Sequence, residues 1–500
     1  MYTVTKNTKI LSLLLMIFGL AALSYGFIQG AGYYSDDEVG HEVRFLAEEL
    51  HFEVLQSQVH TNHLVHADYE SNVAYIDSND KYYEGQENVH GHEAHFSNLY
   101  HAIEEKFNLH FSYEEMFEAH DLEHVIQDTV HALHAKEQRP WSSLLVASIF
   151  FLGASLLSVF FLALQYVAEV GWSVLIKRVL MCIGSFLPYV SAVIFLIIIT
   201  GGFHLFGNHT YHWMAVDIMN PESSNYDPII AGKEAYLNFG FFLIRAIIYF
   251  AGWIFALRKL TQLSLQEDIH GGLEYYNHSK KVSAVFIVFF AVTSSMLAWD
   301  WIMSIDTHWF STLFGWYVFS SMFVTALVVV LMTVVHLKRR GMLTPLNENH
   351  IHDLGKFIFA FSIFWTYLWF SQFMLIWYAN IPEEVTYYIA RFDQYSIPFM
   401  TALVFNFVVP IIMLMSRDAK RYSLRVIFIG LIVLIGHYLD FYVMIMPGTV
   451  GSHWQIGFVE IGAFMGYTGL FIYVVTRKLA SMELIPKNHP MLKESKNFHI

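Results

Sequence analysis

The chain has a single cysteine, Cys182, and it lies inside an apolar run. One thiol excludes an intrachain disulfide, a thiolate-held iron–sulfur cluster and the Cys-x-x-Cys-His attachment of c-type haem. Charge is also scarce. Only 14% of the 500 residues are Asp, Glu, Lys or Arg, against about 25% in a soluble globular chain. Cations are the scarcer sign, 29 Lys and Arg against 43 Asp and Glu, which argues against a nucleic-acid partner. What the chain has instead is apolar: 55% hydrophobic and 17% aromatic residues, the composition of a polytopic membrane protein.

The net charge of −14 comes from one segment. Residues 31–140 hold 23 Asp and Glu against 5 Lys and Arg, with 14 of the 27 histidines. The remainder is slightly basic, 24 Lys and Arg against 20 acids. Around this segment run ten apolar stretches, each near the roughly 20 residues that cross a bilayer. They are Ile10–Ile28, Ser142–Tyr166, Val179–Thr200, Leu237–Leu257, Val282–Ile305, Trp309–Val335, Phe357–Trp377, Ile397–Met415, Val426–Met446 and Ile461–Val475.

Orientation follows from the cations, because loops on the cytoplasmic side retain Lys and Arg. The N-terminus, the C-terminus and alternate connections beginning with Lys177-Arg178 hold 21 basic residues; the opposite set holds 7, of which 5 lie in the acidic segment. Both termini are therefore expected in the cytoplasm, and residues 31–140 outside it. The first run is longer than a signal-peptide core and Phe27–Gly32 offers no small-x-small cleavage site, so it reads as an anchor. The expected organisation is all-α. An anchor helix (1–30) precedes a helical acidic insert (31–140), with periodicity over Glu42–Val59 and Leu99–Ala135. A first four-helix bundle (141–308), a second (309–447) and a last span with its tail (448–500) follow.

The insert repeats histidine at helical spacing: His60, His63 and His66; His90, His92 and His95; His120 and His124; His131 and His134. Such pairs suit zinc or copper. They are scattered and no cysteine joins them, so a solvated acidic, histidine-rich surface is the plainer account and no metal site is assigned.

Chemistry-bearing residues within the spans are few. Ionisable groups at membrane depth are costly and by default mark function. The corner Trp299–Trp309 packs Asp300, Asp306 and His308 among Trp299, Trp301 and Trp309. Arg245, inside the fourth run, needs a carboxylate or carbonyl partner, and Asp300 lies at a plausible depth; the pair is either structural or functional. His204, at the end of the third run, is placed to meet the Asp300 corner. A quinol headgroup needs hydrogen-bond donors and proton acceptors at its oxygens and flat apolar walls; an interfacial aromatic belt is the plainer account of the tryptophans. His437 and Asp440, three apart in the ninth run, share a helix face, and Glu460 opens the tenth at similar depth. With Arg245 these form a candidate proton path, or a packing cluster of hydrogen bonds. A membrane haem b is disfavoured, because only His437 lies well inside a span. A stand-alone transporter stays open, since Pro188, Pro398 and Pro410 are placed to break helices.

The run Trp299–Phe319, WDWIMSIDTHWFSTLFGWYVF, resembles the polysulfide-reductase-type (NrfD-like) integral membrane subunits, in particular the F-type subunit of bacterial alternative complex III, a quinol:electron-acceptor oxidoreductase. The resemblance covers about residues 141–480. The sister C-type subunit carries a Pro-Gly-Trp-His run at this corner; Ile305-Asp306-Thr307-His308-Trp309 stands here, which favours the F type. The resemblance implies an inner-membrane subunit of a respiratory chain without a covalently bound cofactor, a quinone being the one small molecule it accommodates. It implies His204 and Asp300, with Arg391 as a weaker match, at the family's quinone site. The implied partners are multihaem and monohaem cytochrome c subunits, an iron–sulfur subunit, a sister NrfD-like subunit, a terminal cytochrome oxidase and lipid.

Overall fold

In the computed structural model, residues 2–30, 36–50, 98–111, 116, 121–223 and 225–499 are described. His60, His63, His66, His90, His92, His95 and His120 lie outside them. Among the described residues there is no strand, and ten helices are long and apolar enough to cross a membrane. We label these α1 (Lys6–Gly30), α2 (Leu122–Val167), α3 (Trp172–Gly202), α4 (Phe239–His270), α5 (Glu274–Ile305), α6 (Phe314–Arg339), α7 (Glu348–Ala379), α8 (Ser396–Leu414), α9 (Ser423–Val450) and α10 (Phe458–Ala480). Helix is the form these runs take because it satisfies every backbone donor and acceptor within one segment, as a bilayer requires. The chain is a multi-pass membrane protein.

Several ends differ from the sequence expectation. Helix α2 begins at Leu122, well before the apolar run, and continues through Pro140. The run expected from Trp309 becomes helical only at Phe314, because residues 303–313 form a 3₁₀ turn and an irregular corner. Local chemistry sets other ends: the Asn238 side chain accepts from Phe241 N at 2.9 Å to start α4, and Asn347 with His350 forms a capping box at α7.

The chain divides into two compact units. One comprises residues 27–139 and 453–455. Its small core draws Val39 and Val43 from helix Asp36–Glu49, Leu99, Ile103 and Phe107 from helix 98–107, and Val125 from the first turns of Leu122–Val167. The periodicity expected over Glu42–Val59 is helical to Glu49, and residues 51–59 fall outside the described set.

The other unit holds the spanning helices. Its central post is α2, whose most apolar window is 94% buried. Phe150 meets Tyr438 and Phe441 of α9 and Phe464 of α10; Phe160 meets Phe290 of α5 and Phe319 of α6; Phe161 meets Phe357 of α7. Helix α4 packs on α3 and α5, α5 on α6, α6 on α7 and α9, and α8 on α9. In lipid, burying apolar surface gives little drive, so close approach of small residues matters. Helix α1 shows this: a Cβ on Gly19 would lie 2.3 Å from the Gly466 Cα of α10.

The segment after α10 folds back across the connections that carry the basic runs. Arg178 donates to Glu483 O (2.7 Å), Lys177 meets His489 Nε2 (2.8 Å), Ser495 donates to Trp172 O (2.6 Å), and Asn347 donates to Phe498 O (2.5 Å).

Candidate functional site

Arg245 and Asp300 meet, and each completes the other. The guanidinium donates from Nε to Oδ2 and from Nη2 to Oδ1, both at 2.9 Å, while Nη1 donates to Tyr236 O at 2.9 Å. Tyr249 adds a hydroxyl to Oδ2 at 2.9 Å, and the rings of Tyr236 and Phe241 cover the guanidinium at 3.9 and 4.4 Å. Asp300 is 0% exposed. The arrangement is a closed structural ion pair between α4 and α5, which leaves Arg245 no role in a proton path with Asp440. His204 is not among the partners of Asp300. It stacks on His209 with ring centroids 5.3 Å apart, in a left-handed backbone conformation, and its Nδ1 has no hydrogen-bond partner.

His308 is half exposed, in a contact with Asp227 at 2.6 Å. Asp227 caps the short helix Pro228–Ala231, accepting from Ile229 N at 2.8 Å. Burial raises its pKa, but the amides of Ile230 and Ile229 and the His308 ring outweigh that and hold it below the usual carboxylate range. Lys233, from the same segment, donates to Thr307 O. Together these contacts latch the 203–238 connection onto the corner.

Asp306 and Arg391 do converge. They line a cavity of about 220 Å³ between the α5–α6 corner and helix Pro382–Asp393, with Ile302, Trp309, Tyr387 and Met444 also in its wall. The guanidinium of Arg391 lies 3.3 Å from the Tyr387 ring centroid, and Trp309 stacks on that ring from 4.0 Å at 17°. Arg391 is 5% exposed. Its Nη1 donates to Tyr387 O at 2.7 Å, its Nε has no partner, and no carboxylate among the described residues pairs with it. An unpaired buried cation in an aromatic-walled cavity is poised for a carbonyl or an anion.

Beyond this wall lies a second polar group. Asp440 of α9 accepts from the Tyr317 hydroxyl on one oxygen, and from Ser321 Oγ (2.7 Å) and Trp365 Nε1 (2.9 Å) on the other. Ser321 also contacts His437 Nδ1 at 2.9 Å. A hydroxyl has one proton; with that proton on Asp440, His437 donates from Nδ1. Its Nε2 then faces the interior without a partner, on a fully buried ring. Both side-chain polar atoms of Asn406 are likewise buried and unpartnered. Asn406 sits in a π-helical turn, Val404–Val408, within α8, and a Cβ on Gly436 would lie 2.2 Å from its Oδ1. π turns of this kind are frequent at functional positions.

Tyr387 is buried in the cavity wall. Burial raises the pKa of its phenol, Arg391 lowers it, and Asp440 and then Asp306 push it up, so the ring lies within the field of both acids. Tyr388 is raised well above the usual value by burial and by Tyr387, against Arg391.

Glu460 does not join Asp440. It accepts from Gly457 N (2.8 Å) and Ser143 Oγ (3.3 Å) as the first-turn carboxylate of α10. Sequence reasoning missed Tyr317, Ser321, Trp365, Tyr387 and Asn406. Asn406 carried a readable signal, an amide inside an apolar run; the tyrosines and tryptophan resembled interfacial residues. Among the described residues, no cluster of three or more His, Cys, Asp and Glu is placed to hold a metal ion. In the other unit, Glu104 is bracketed by His101 and His110, each at 3.0 Å.

No protein-family model matches the chain, and no curated protein matches it.

Proposed function

We propose that the chain is a membrane subunit of a respiratory quinol:electron-acceptor oxidoreductase of the alternative complex III type, without a redox cofactor of its own. The observation that carries the reading is the buried, unpaired Arg391 guanidinium over a cavity walled by Trp309, Tyr387 and Asp306. The residues fit a quinone headgroup: Arg391 Nε is an orphaned donor, Asp306 an acceptor, and Trp309, backed by Tyr387, offers a flat ring in the wall. Bound in its reduced, quinol form, such a group would give up electrons and protons together on oxidation. Arg391 orients its oxygen, the stacked rings exclude water, and Asp440 with Ser321 and His437 provides a place to hold a proton. The quinone site is thus centred on Asp306 and Arg391, and the proton path on His437 and Asp440. In this reading the subunit sits in a bacterial inner membrane with its basic connections and both termini in the cytoplasm and residues 31–140 in the periplasm. The spans group as α2–α5 and α6–α9, and cytochrome c and iron–sulfur subunits, with a sister membrane subunit, supply the electron path.

The test is purification of the affinity-tagged chain from its native membranes in mild detergent. Co-elution of c-type haem and iron–sulfur subunits supports the assignment; elution of the chain alone overturns it. Within the assembled complex, Arg391→Gln is expected to weaken binding of a quinone analogue by about tenfold, the order of one charge-assisted hydrogen bond. A stand-alone transporter is the second reading, favoured by the π turn with Asn406 in α8. It predicts a stable, substrate-binding chain without partners, so the same purification separates the two.

A further inference from the structure

We infer that the connection between α8 and α9 is a docking surface for an anionic phospholipid. Its phosphodiester would sit among Arg417, Arg421 and Arg425, and its acyl chains along the exposed apolar side chains that flank them. The inference does not rest on the quinone reading. It starts from charge: residues 417–425 carry four cations, Arg417, Lys420, Arg421 and Arg425, against one acid, Asp418. Cations at the ends of spans are common because they orient the chain. Two of these, however, are set into the fold. The short helix Arg417–Arg421 packs on the first turns of α7, with Lys420 against Gly355. Lys420 is buried, and its ammonium donates to Leu414 O (2.5 Å) and Met415 O (3.1 Å) at the end of α8. Arg421 donates from Nη2 to Asn349 Oδ1 at 2.8 Å, while its Nε is buried without a partner. No carboxylate among the described residues pairs with either cation. On the α7 side, Asp353 is already matched by Lys356 at 2.6 Å. Burial lowers the Lys420 pKa and the charge of Lys356 lowers it further, which fits cations held close together without enough counter-charge.

The surroundings match the rest of a phospholipid. Arg417 and Arg425 are exposed, so the charge of the corner is open to a ligand. The first turn of α9 contains Arg425 and no acid, and no side chain caps it, so its amides and dipole add to the attraction for an anion. Exposed apolar side chains stand on either side of the cations: Met415 at the end of α8, then Tyr422, Leu424 and Phe428 along the start of α9. A free inorganic anion would use the cations and leave these side chains idle. A zwitterionic lipid carries its own cation beside the phosphate, whereas an anionic one needs the cations of the protein, the pairing seen where basic pockets between spans hold acidic headgroups.

The test uses the full chain, delipidated in mild detergent, titrated with phosphatidylglycerol and with phosphatidylcholine of the same acyl chains. Bound lipid is read by native mass spectrometry, and the unfolding midpoint is measured in parallel. The wild-type protein should bind phosphatidylglycerol about tenfold or more tightly than phosphatidylcholine and unfold at higher temperature with it. Arg417→Gln combined with Arg425→Gln should weaken phosphatidylglycerol about twentyfold, at about fivefold for each cation near the lipid surface, and leave phosphatidylcholine unchanged. Arg339→Gln with Arg340→Gln, an equally basic pair at the end of α6, should change either affinity by less than about threefold. Equal affinity for the two lipids overturns the inference, as does full phosphatidylglycerol binding in the Arg417/Arg425 variant. An equal loss in the Arg339/Arg340 variant also overturns it, because general positive charge then suffices. Inorganic phosphate alone, at matched ionic strength, should neither raise the midpoint nor displace the lipid. If it does either, the occupant is free phosphate and the lipid assignment falls. Should the double variant fail to fold, Arg425→Gln alone is expected to weaken phosphatidylglycerol about fivefold, and unchanged affinity there overturns the inference.

Discussion

At the scale of single residues, the ionisable groups inside the spans divide by whether their hydrogen bonds are complete. Arg245 and Asp300 are saturated, and each exists to neutralise the other. Removing one partner leaves a buried charge unmatched, which costs about 3–5 kcal/mol. Asp300→Asn should therefore lower the thermal unfolding midpoint of the purified protein in detergent and reduce its yield. Arg245→Met combined with Asp300→Leu should recover most of that loss, because an apolar pair of similar volume removes both charges. If Asp300→Asn instead assembles with full stability and only quinol turnover falls, the ion pair is functional after all. The sequence contained both residues and their depth, but not their mutual geometry. Spacing along two helices cannot say whether a carboxylate ends in a bidentate pair or in a cavity. The same limit applies to Asp306 and Arg391, about 85 positions apart, whose convergence depends on how helix Pro382–Asp393 folds over the corner.

At the scale of elements, connections do more than join spans. The 203–238 segment holds the Asp306–Trp309 corner through Asp227 and Lys233. Asp227 has a folded pKa below its unfolded one, so its contribution to stability is present in full above the unfolded carboxylate range and is lost as pH falls through the lower, folded value. Asp227→Asn is expected to lower the unfolding midpoint near neutral pH, with the difference from wild type shrinking on acidification below the ordinary carboxylate range. A difference that stays constant well below that range would mean the carboxylate charge plays no part in the latch. Helix identity was readable because apolar length is dictated by the bilayer; the ten runs of the sequence correspond to ten helices. Helix ends were less readable. Leu122–Arg139 is helical without being apolar, and Trp309–Leu313 is apolar-rich without being helical. Hydropathy reports where lipid is tolerated, whereas capping and corner hydrogen bonds decide where a helix stops.

For the whole molecule, the segment after α10 has a larger role than the tail expected from the sequence. Its contacts run to the start of α3 at Trp172, Lys177 and Arg178, to the end of α4 at Asp268, and to the start of α7 at Asn347 and Asn349. These belong to both halves of the helix order, so the residues after α10 tie together elements separated by most of the chain. The contacts are buried: Arg178 is 1% exposed and is held at once by Glu483 O, Ser264 O and Asp268. His489 is pushed down to about 3 by burial, with Lys177 and Arg178 adding to the effect, so it stays a neutral acceptor for Lys177 throughout the physiological range. Protonation of His489 therefore does not release the segment. Truncation after Ser481 would take Glu483 O from Arg178 and His489 from Lys177 and uncover the ends of α3, α4 and α7. The expected result is a clear loss of thermal stability in detergent and faster proteolysis at the basic connections, with α1–α10 still inserted. A truncated chain as stable and protease-resistant as the full one would show that the helices hold one another without the clasp. His489→Ala should cost part of the same stability, read as a smaller fall in the unfolding midpoint than truncation gives.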